Sequence, residues 1–207
     1  MHDWPLRRVA TSLTFTAVCA LTFNCAAPAK RPDPLKAYTS CRFDDGLQVV
    51  SVDRLPPGVE WRSVDTRSGS KSVSLADGYR VMLAYPNTDY FVNLNVEQSQ
   101  AGMFRWDKPT IVESMEWLAS QGSGAAVPLE HTQIGGLDAF GFTQPSLTGS
   151  GVLSVYSLFD DKQEMVITAY ILNQPPARRR FQTMEEYRTL RDRFLARYAA
   201  CVAAHGG

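Results

Sequence analysis

Residues 151–172 read GVLSVYSLFDDKQEMVITAYIL, and this stretch decides the fold class. Two runs of apolar and β-branched residues, 151–159 and 164–172, flank the polar residues 160–163, as in two antiparallel strands joined by a short turn. The second run is almost continuously apolar, which is typical of a strand buried on both faces or at the centre of a sheet. We therefore expect an antiparallel sheet that has residues 164–172 among its inner strands.

The sequence upstream of this hairpin predicts further strands and one helix. Apolar residues alternate with their neighbours along 79–85 and along 92–96, with the turn residues PNTD between the two runs. In residues 107–121, DKPTIVESMEWLASQ, apolar side chains recur about every fourth position. This spacing places Ile111, Met115 and Leu118 on one apolar stripe, which predicts an amphipathic helix. The remaining predicted segments are strands at 61–65, 128–133 and 137–143 and a loop at 66–72.

A long helix is predicted at 184–203. Thr183 and Glu186 have the spacing of a capping box, in which each side chain accepts a hydrogen bond from a backbone N–H at the helix start. The expected buried stripe consists of Tyr187, Leu190, Phe194, Tyr198, Cys201 and Val202. The expected outward-facing arginines are Arg188, Arg191, Arg193 and Arg197. Strands followed by a helix, four strands and a second helix indicate an α+β fold, with an antiparallel sheet flanked by helices.

Composition limits the function classes. The 207 residues include 21 basic and 21 acidic side chains, and 44% of the chain is apolar, so one ordinary domain with a real core is expected rather than a disordered chain. A balanced charge also argues against nucleic-acid binding, which requires a concentrated positive field.

Residues 1–29 have the pattern of an export signal. Arg7 and Arg8 precede a stretch that carries no charged side chain up to residue 29, and its many threonines argue against a retained membrane anchor. Two processing sites compete. The sequence APA at 27–29 suits a signal peptidase, whereas LTFNCAAPAK suits lipoprotein processing, with Cys25 as the lipidated first residue. Residues 30–46 are predicted to be a tether, and residues 47–204 a single domain.

The four cysteines indicate one structural disulfide. Cys19 lies in the apolar part of the signal, and Cys25 is either removed or lipidated, so Cys41 and Cys201 remain in the domain. A pair of cysteines in an exported chain predicts a disulfide. A reactive thiol is the alternative, but no Cys-x-x-Cys spacing supports it.

The pattern of elements resembles the PsbP-like α/β/α sandwich, which is shared by PsbP and Mog-type proteins and by envelope lipoproteins of the DcrB and LpqN kind. The segments that carry the resemblance are LPPGVEW, YFVNLNVEQS, TIVESMEWLASQ, IGGLDAFGFTQ, the hairpin around FDDKQ and the final helix. The resemblance implies a non-enzymatic module that acts through protein partners and sometimes through lipidic ligands. It supplies no catalytic residues to carry over.

No catalytic or metal-binding set is predicted, and no cofactor. Outside the signal the histidines are His131 and His205, which are too few for a zinc site, and Glu130 beside His131 would point to the opposite face of a strand. An apolar groove could be lined by five aromatic side chains, Trp61, Trp106, Trp117, Phe104 and Tyr90. A possible partner surface lies around Trp106 and Trp117. A second possible contact surface is Arg178, Arg179 and Arg180, because arginine pairs with phosphate and carboxylate groups.

These observations favour an exported protein of the periplasm or membrane-anchored cell envelope, acting as a non-catalytic binding or assembly module. Its expected partner is an envelope protein, with membrane contact through a lipid anchor if Cys25 is modified. The alternatives are a carrier of a small apolar or lipidic ligand and, ranked lower, an envelope hydrolase.

Overall fold

A seven-stranded antiparallel sheet carries the fold in the computed structural model, which describes residues 33–55, 62–88, 90–121, 127–145, 152–173 and 181–205. The helices are α1 (Pro34–Thr39), α2 (Phe104–Ser120) and α3 (Met184–His205). The strands are β1 (Gln48–Arg54), β2 (Arg62–Thr66), β3 (Gly69–Val73), β4 (Leu75–Ala84), β5 (Tyr90–Ser99), β6 (Glu130–Ile134), β7 (Leu137–Pro145), β8 (Val152–Asp160) and β9 (Met165–Asn173).

The strand order of the sheet is β1-β4-β5-β9-β8-β7-β6, and strands β2 and β3 form a separate hairpin. Strands β8 and β9 are the hairpin predicted from residues 151–172, and β9 lies at the centre of the sheet. The pairing of β5 with β9 joins the N-terminal strands to the C-terminal ones. The prediction of an α+β fold with an antiparallel sheet is thereby confirmed.

The two faces of the sheet are covered by different elements. One face packs against α1 and α3, where Leu94, Ile167 and Tyr198 belong to the largest buried cluster. On the other face, α2 and the β2–β3 hairpin cover smaller apolar clusters that include Phe159 and Val166. Alternation along the inner strands therefore supplies both layers of core.

The N-terminal end of the domain differs from the predicted tether at 30–46. Within the described residues of this segment, α1 forms and buries Leu35 and Tyr38, each 2% exposed. Asp33 caps the helix by accepting a hydrogen bond from the Leu35 N–H at 3.1 Å. The Tyr38 hydroxyl donates to Asp160 Oδ2 at 2.7 Å. The tether prediction was wrong for these residues because Leu35 and Tyr38, three positions apart, lie on one side of a helix.

Both long helices were predicted, with two corrections. Helix α2 begins at Phe104, before the predicted start, and leaves Leu118 40% exposed, although Leu118 was assigned to the buried stripe. In α3, Arg191 is 5% exposed rather than outward-facing. The capping box is confirmed, since the Glu186 N–H donates to Thr183 Oγ1 at 3.2 Å and the Thr183 N–H donates to Glu186 Oε2 at 3.3 Å.

Two strands were missed by the sequence analysis. Strand β3 occupies most of the predicted loop at 66–72, and its polar side chains are exposed because the hairpin lies outside the main sheet. Strand β1 has a largely exposed pattern because it is an edge strand.

The disulfide between Cys41 and Cys201 is present, with the two Cα atoms 5.8 Å apart. It joins the segment after α1 to the last turns of α3, across a sequence separation of 160 residues. Among the described residues, no helix is both long enough and apolar enough to cross a membrane.

Candidate functional site

The two tryptophans of the predicted partner surface lie on the same side of α2. They are eleven positions apart, which corresponds to about three turns and roughly 16 Å along the helix axis. Trp106 is 59% exposed, and the Arg105 guanidinium lies 5.3 Å from the centre of its ring. Trp117 is half-buried. The tryptophans therefore mark two ends of one helical surface rather than one compact patch.

A cavity of about 240 Å³ lies between α2, the β2–β3 hairpin and the sheet, and we call it the α2 groove. Its floor consists of side chains from β5, β8 and β9, namely Glu97, Ser157, Val166, Thr168 and Tyr170. Its helical wall consists of Ile111, Ser114, Trp117 and Leu118. The groove thus combines an apolar wall with a floor that carries hydroxyl groups.

An ion pair forms part of the groove. Glu97 is 2% exposed and pairs with the guanidinium of Arg62, whose Nη1 donates to Glu97 Oε2 at 3.2 Å. Burial lowers the pKa of Arg62 from its ordinary value and raises that of the neighbouring Tyr170. A buried carboxylate is costly unless it is paired, so this contact holds β2 against the sheet.

Glu113 of α2 holds the β2–β3 hairpin in place. It accepts hydrogen bonds from Lys71 and, at 2.8 Å, from the Ser68 hydroxyl. Its pKa falls to about 2, chiefly because of the hydrogen bond from Lys71 and then that from Ser68. The groove wall therefore depends on a charge-assisted contact between helix and hairpin.

Asp107 fixes the start of α2 to the chain between β3 and β4. Its carboxylate is 2% exposed and accepts hydrogen bonds from the Ser74 N–H at 2.9 Å and from the Ser74 hydroxyl at 2.7 Å. Both carboxylate oxygens are therefore satisfied, and the helix has a defined position over the sheet.

A polar cluster that the sequence analysis missed lies beside the start of α2. His131 Nε2 is 2.7 Å from Asp138 Oδ1, and the His131 ring stacks on Phe140 with the ring centres 4.1 Å apart. Lys108 Nζ lies 2.9 Å from Asp138 Oδ2. Burial opposes ionisation of Asp138, but the hydrogen bonds from Lys108 and His131 outweigh it and lower its pKa.

This cluster orients an imidazole, as a general base requires. The prediction that Glu130 and His131 face opposite sides of their strand is consistent with their contacts. Glu130 accepts a hydrogen bond from the Tyr156 hydroxyl on the α3 side, whereas His131 contacts Asp138 on the α2 side. In the described part of the chain, no group of three or more His, Cys, Asp or Glu residues is arranged to hold a metal ion.

The structure separates the other residues proposed for the aromatic groove. Tyr90 is 1% exposed and belongs to the core under α1 and α3, so it lies on the opposite face from α2. Phe104 is buried against Phe159, with the ring centres 6.3 Å apart. Trp61, Cys25 and residues 178–180, the three arginines of the second predicted surface, lie outside the described residues.

The ion-paired residues of the groove, Arg62 and Glu97, were not singled out in the sequence. The two residues are 35 positions apart in the sequence, on β2 and β5, and they meet through the packing of the β2–β3 hairpin on the sheet. No protein-family model matches this chain, and neither curated proteins nor solved structures gave a match.

Proposed function

We propose that this protein is an exported cell-envelope protein of the PsbP-like kind, anchored through a lipidated Cys25, and that it acts as a non-catalytic binding or assembly module. The observation that carries the binding role is the α2 groove with Leu118, 40% exposed, at its wall. The disulfide supports export, because disulfides persist in oxidising compartments.

The size of the groove favours a protein partner over a carried lipid. Pockets that enclose small-molecule ligands usually measure about 300–1,000 Å³, and this cavity measures about 240 Å³. A cavity of this size suits one large side chain of a partner, in the way that anchoring residues at protein interfaces fill pockets. Exposed Trp106 on the same helix then extends the contact surface.

Site-specific photo-crosslinking in the native envelope tests the binding role. A benzophenone amino acid at Leu118 should capture one defined envelope protein. The same probe at Arg188, an exposed position of α3, should not capture it. Ser114→Leu, which fills the groove from the α2 side, should abolish the Leu118 adduct. Equal adducts from both probe positions, or an adduct that Ser114→Leu leaves unchanged, would overturn the proposed site.

The non-reduced intact mass of protein extracted from its native envelope tests export and anchoring. A mass that begins at lipidated Cys25, and is lower by two hydrogens for the disulfide, is expected. A mass that begins at Lys30 would remove the anchor and leave a freely exported protein. A mass that retains residues 1–24 would contradict export with processing.

A ligand carrier is the second candidate, and its site would be the same cavity between the sheet and α2. Native mass spectrometry after gentle extraction would then reveal a co-purifying apolar molecule that Ser114→Leu displaces. Under the leading proposal, the wild-type protein carries no such mass.

A further inference from the structure

Strand β6 is an unpaired edge of the sheet. In the described part of the chain it pairs only with β7, and its first four residues are exposed. The register of β6 with β7 has no shift, whereas the other edge strand, β1, has a bulge or irregularity between Val49 and Ser51. Bulges on edge strands are a common device against pairing with a further strand. Of the two edges, β6 is therefore the one with a regular ladder to extend.

The turn after β6 determines which of its backbone groups face outward. Residues 135–136, both glycines with positive φ, form a two-residue turn, so Ile134 and Leu137 are a hydrogen-bonded pair. Hydrogen-bonded and non-hydrogen-bonded pairs alternate along an antiparallel ladder. The N–H and C=O groups of His131 and Gln133 therefore point away from β7, where they offer two donors and two acceptors to a further strand.

A groove of about 360 Å³ runs between β6 and α3, and we call it the edge groove. Its β6 wall consists of Glu130, Thr132 and Ile134, the side chains on the α3 side of this strand. The opposite wall is the face of α3 that carries Asp192 and Leu195. Because side chains alternate along an added strand as well, every second one would project over this groove.

The edge groove carries an excess of negative charge. Its charged lining residues are Glu130, Arg191 and Asp192, which are two carboxylates and one guanidinium. Arg191 Nε donates to Asp192 Oδ1 at 2.7 Å, and Arg191 Nη2 lies 3.7 Å from Glu130 Oε2. The Arg191 side chain is only 6% exposed, but those of Glu130 and Asp192 are 49% and 60% exposed. The carboxylates are therefore open to a cation that arrives from solvent.

A second copy of this chain does not supply that cation. If two β6 strands paired antiparallel about a two-fold axis at Thr132, Glu130 would lie opposite Ile134 of the second copy. The second edge groove would also bring its own excess of negative charge to the axis. A basic side chain opposite Glu130 forms a favourable cross-strand pair instead. Charge complementarity thus favours a different chain.

We propose that an extended segment of a partner protein adds to β6 as a further strand, and that a lysine or arginine of this segment lies in the edge groove beside Glu130 and Asp192. The main-chain hydrogen bonds to His131 and Gln133 supply the binding, and the charge pair selects the sequence of the segment. The edge groove shares no lining residue with the α2 groove, so neither proposal depends on the other.

Photo-crosslinking from β6 in intact cells identifies the segment. A benzophenone amino acid at Gln133, whose side chain lies outside the α3 wall, should form an adduct with one protein, and the crosslinked peptide should contain a lysine or arginine. The same probe at Val50, on the irregular edge β1, should not capture it. The double substitution Glu130→Gln with Asp192→Asn keeps the shape of the groove and should reduce the adduct several-fold. A homodimer, a peptide without a basic residue, or no protein adduct would overturn the proposal.

A synthetic peptide of the captured segment then tests strand addition on the purified protein. Gln133→Pro removes an N–H that faces away from β7, so it should weaken peptide binding about ten-fold and leave the β6–β7 ladder intact. Gln133→Ala is the matched control and should bind like the wild type. A peptide with norleucine in place of its basic residue should bind roughly five-fold more weakly. Equal affinity of the Pro and Ala variants, or an unchanged affinity of the norleucine peptide, would contradict the proposal.

Hydrogen exchange provides a test that needs no variant. Binding of the peptide to the wild-type protein should slow exchange of the His131 and Gln133 amides several-fold, because only these two N–H groups of β6 gain a partner. Unchanged exchange at both amides would show that the segment does not add to this edge.

Discussion

Gly141 lies beneath the ring of Tyr156, its register partner on β8. A Cβ atom at Gly141 would lie 2.2 Å from Tyr156 Cδ1, so Gly141→Ala forces a fully packed ring to move. We expect a loss of about 1–3 kcal/mol in the free energy of unfolding, measured by urea denaturation. In a Tyr156→Ala background the same substitution should cost little, because the clash is gone. Additive effects of the two substitutions would contradict this account.

Glu113 makes the contact between helix and hairpin dependent on pH. Its pKa falls from 4.5 in its ordinary state to about 2, so its ionised form stabilises the fold above pH 4.5, and this contribution is lost as the pH falls toward 2. Glu113→Gln should therefore be less stable than the wild type at neutral pH, and the difference should shrink over this interval. Urea denaturation between pH 7 and pH 2 measures it, with Glu116→Gln, at an exposed position of the same helix, as the control. A difference that does not change with pH would show that the ion pair with Lys71 adds no stability.

Among the elements, those with strong local patterns were predicted. Strand β9 is almost continuously apolar because both of its faces are covered, and the capping box at the start of α3 joins residues only three positions apart. Strands β1 and β3 were not predicted, because exposed edge and hairpin strands need no alternation of apolar residues. Helix α1 has only six residues, too few for periodicity to stand out, and its burial depends on contacts with distant residues such as Asp160.

The candidate site was predictable only in part for a related reason. Trp117 was predicted to belong to a partner surface, and it lies half-buried at the wall of the α2 groove. The partners of Glu97 and His131 come from other strands, so register and packing had to be known first. Sequence spacing alone could not bring Asp138 to His131, because the pairing depends on the β6–β7 register.

Arg191 attaches α3 to the outer strands of the sheet. Its Nη1 donates to Thr143 Oγ1 at 2.6 Å, and its guanidinium lies 5.1 Å from the centre of the Tyr156 ring. Arg191→Met should cost roughly 1–3 kcal/mol of unfolding free energy, since the buried hydrogen bond and the cation–π contact are lost. Its carboxylate neighbours Glu130 and Asp192 are half-exposed and can be rehydrated, so a larger loss is not expected.

Arg188→Met provides the matched control for this prediction, because Arg188 is an exposed position of the same helix. Chemical denaturation of both variants measures the difference. Equal stability of the two variants would mean that the buried guanidinium contributes nothing beyond its packing.

At the scale of the whole molecule, the disulfide connects segments that are far apart in sequence. In the chain-entropy account, closing a loop of this length stabilises the folded state by up to about 5 kcal/mol, and native disulfides typically contribute 2–5 kcal/mol. Reduction should therefore lower the denaturation midpoint markedly, and the double substitution Cys41→Ser with Cys201→Ser should reproduce the reduced protein. Denaturation with and without reductant measures this effect. An unchanged midpoint would show that packing of α1 against α3 suffices.

The positions of Cys41 and Cys201 also determine when their disulfide can form during the proposed export. An exported chain that emerges from its N-terminus presents the Cys41 thiol early, yet the sequence offers no other cysteine until residue 201. Under the proposed export, once Cys25 is acylated or removed, Cys41 has no partner cysteine within the chain until residue 201 has crossed the membrane. The intramolecular bond can then form only in chains whose translocation is almost complete.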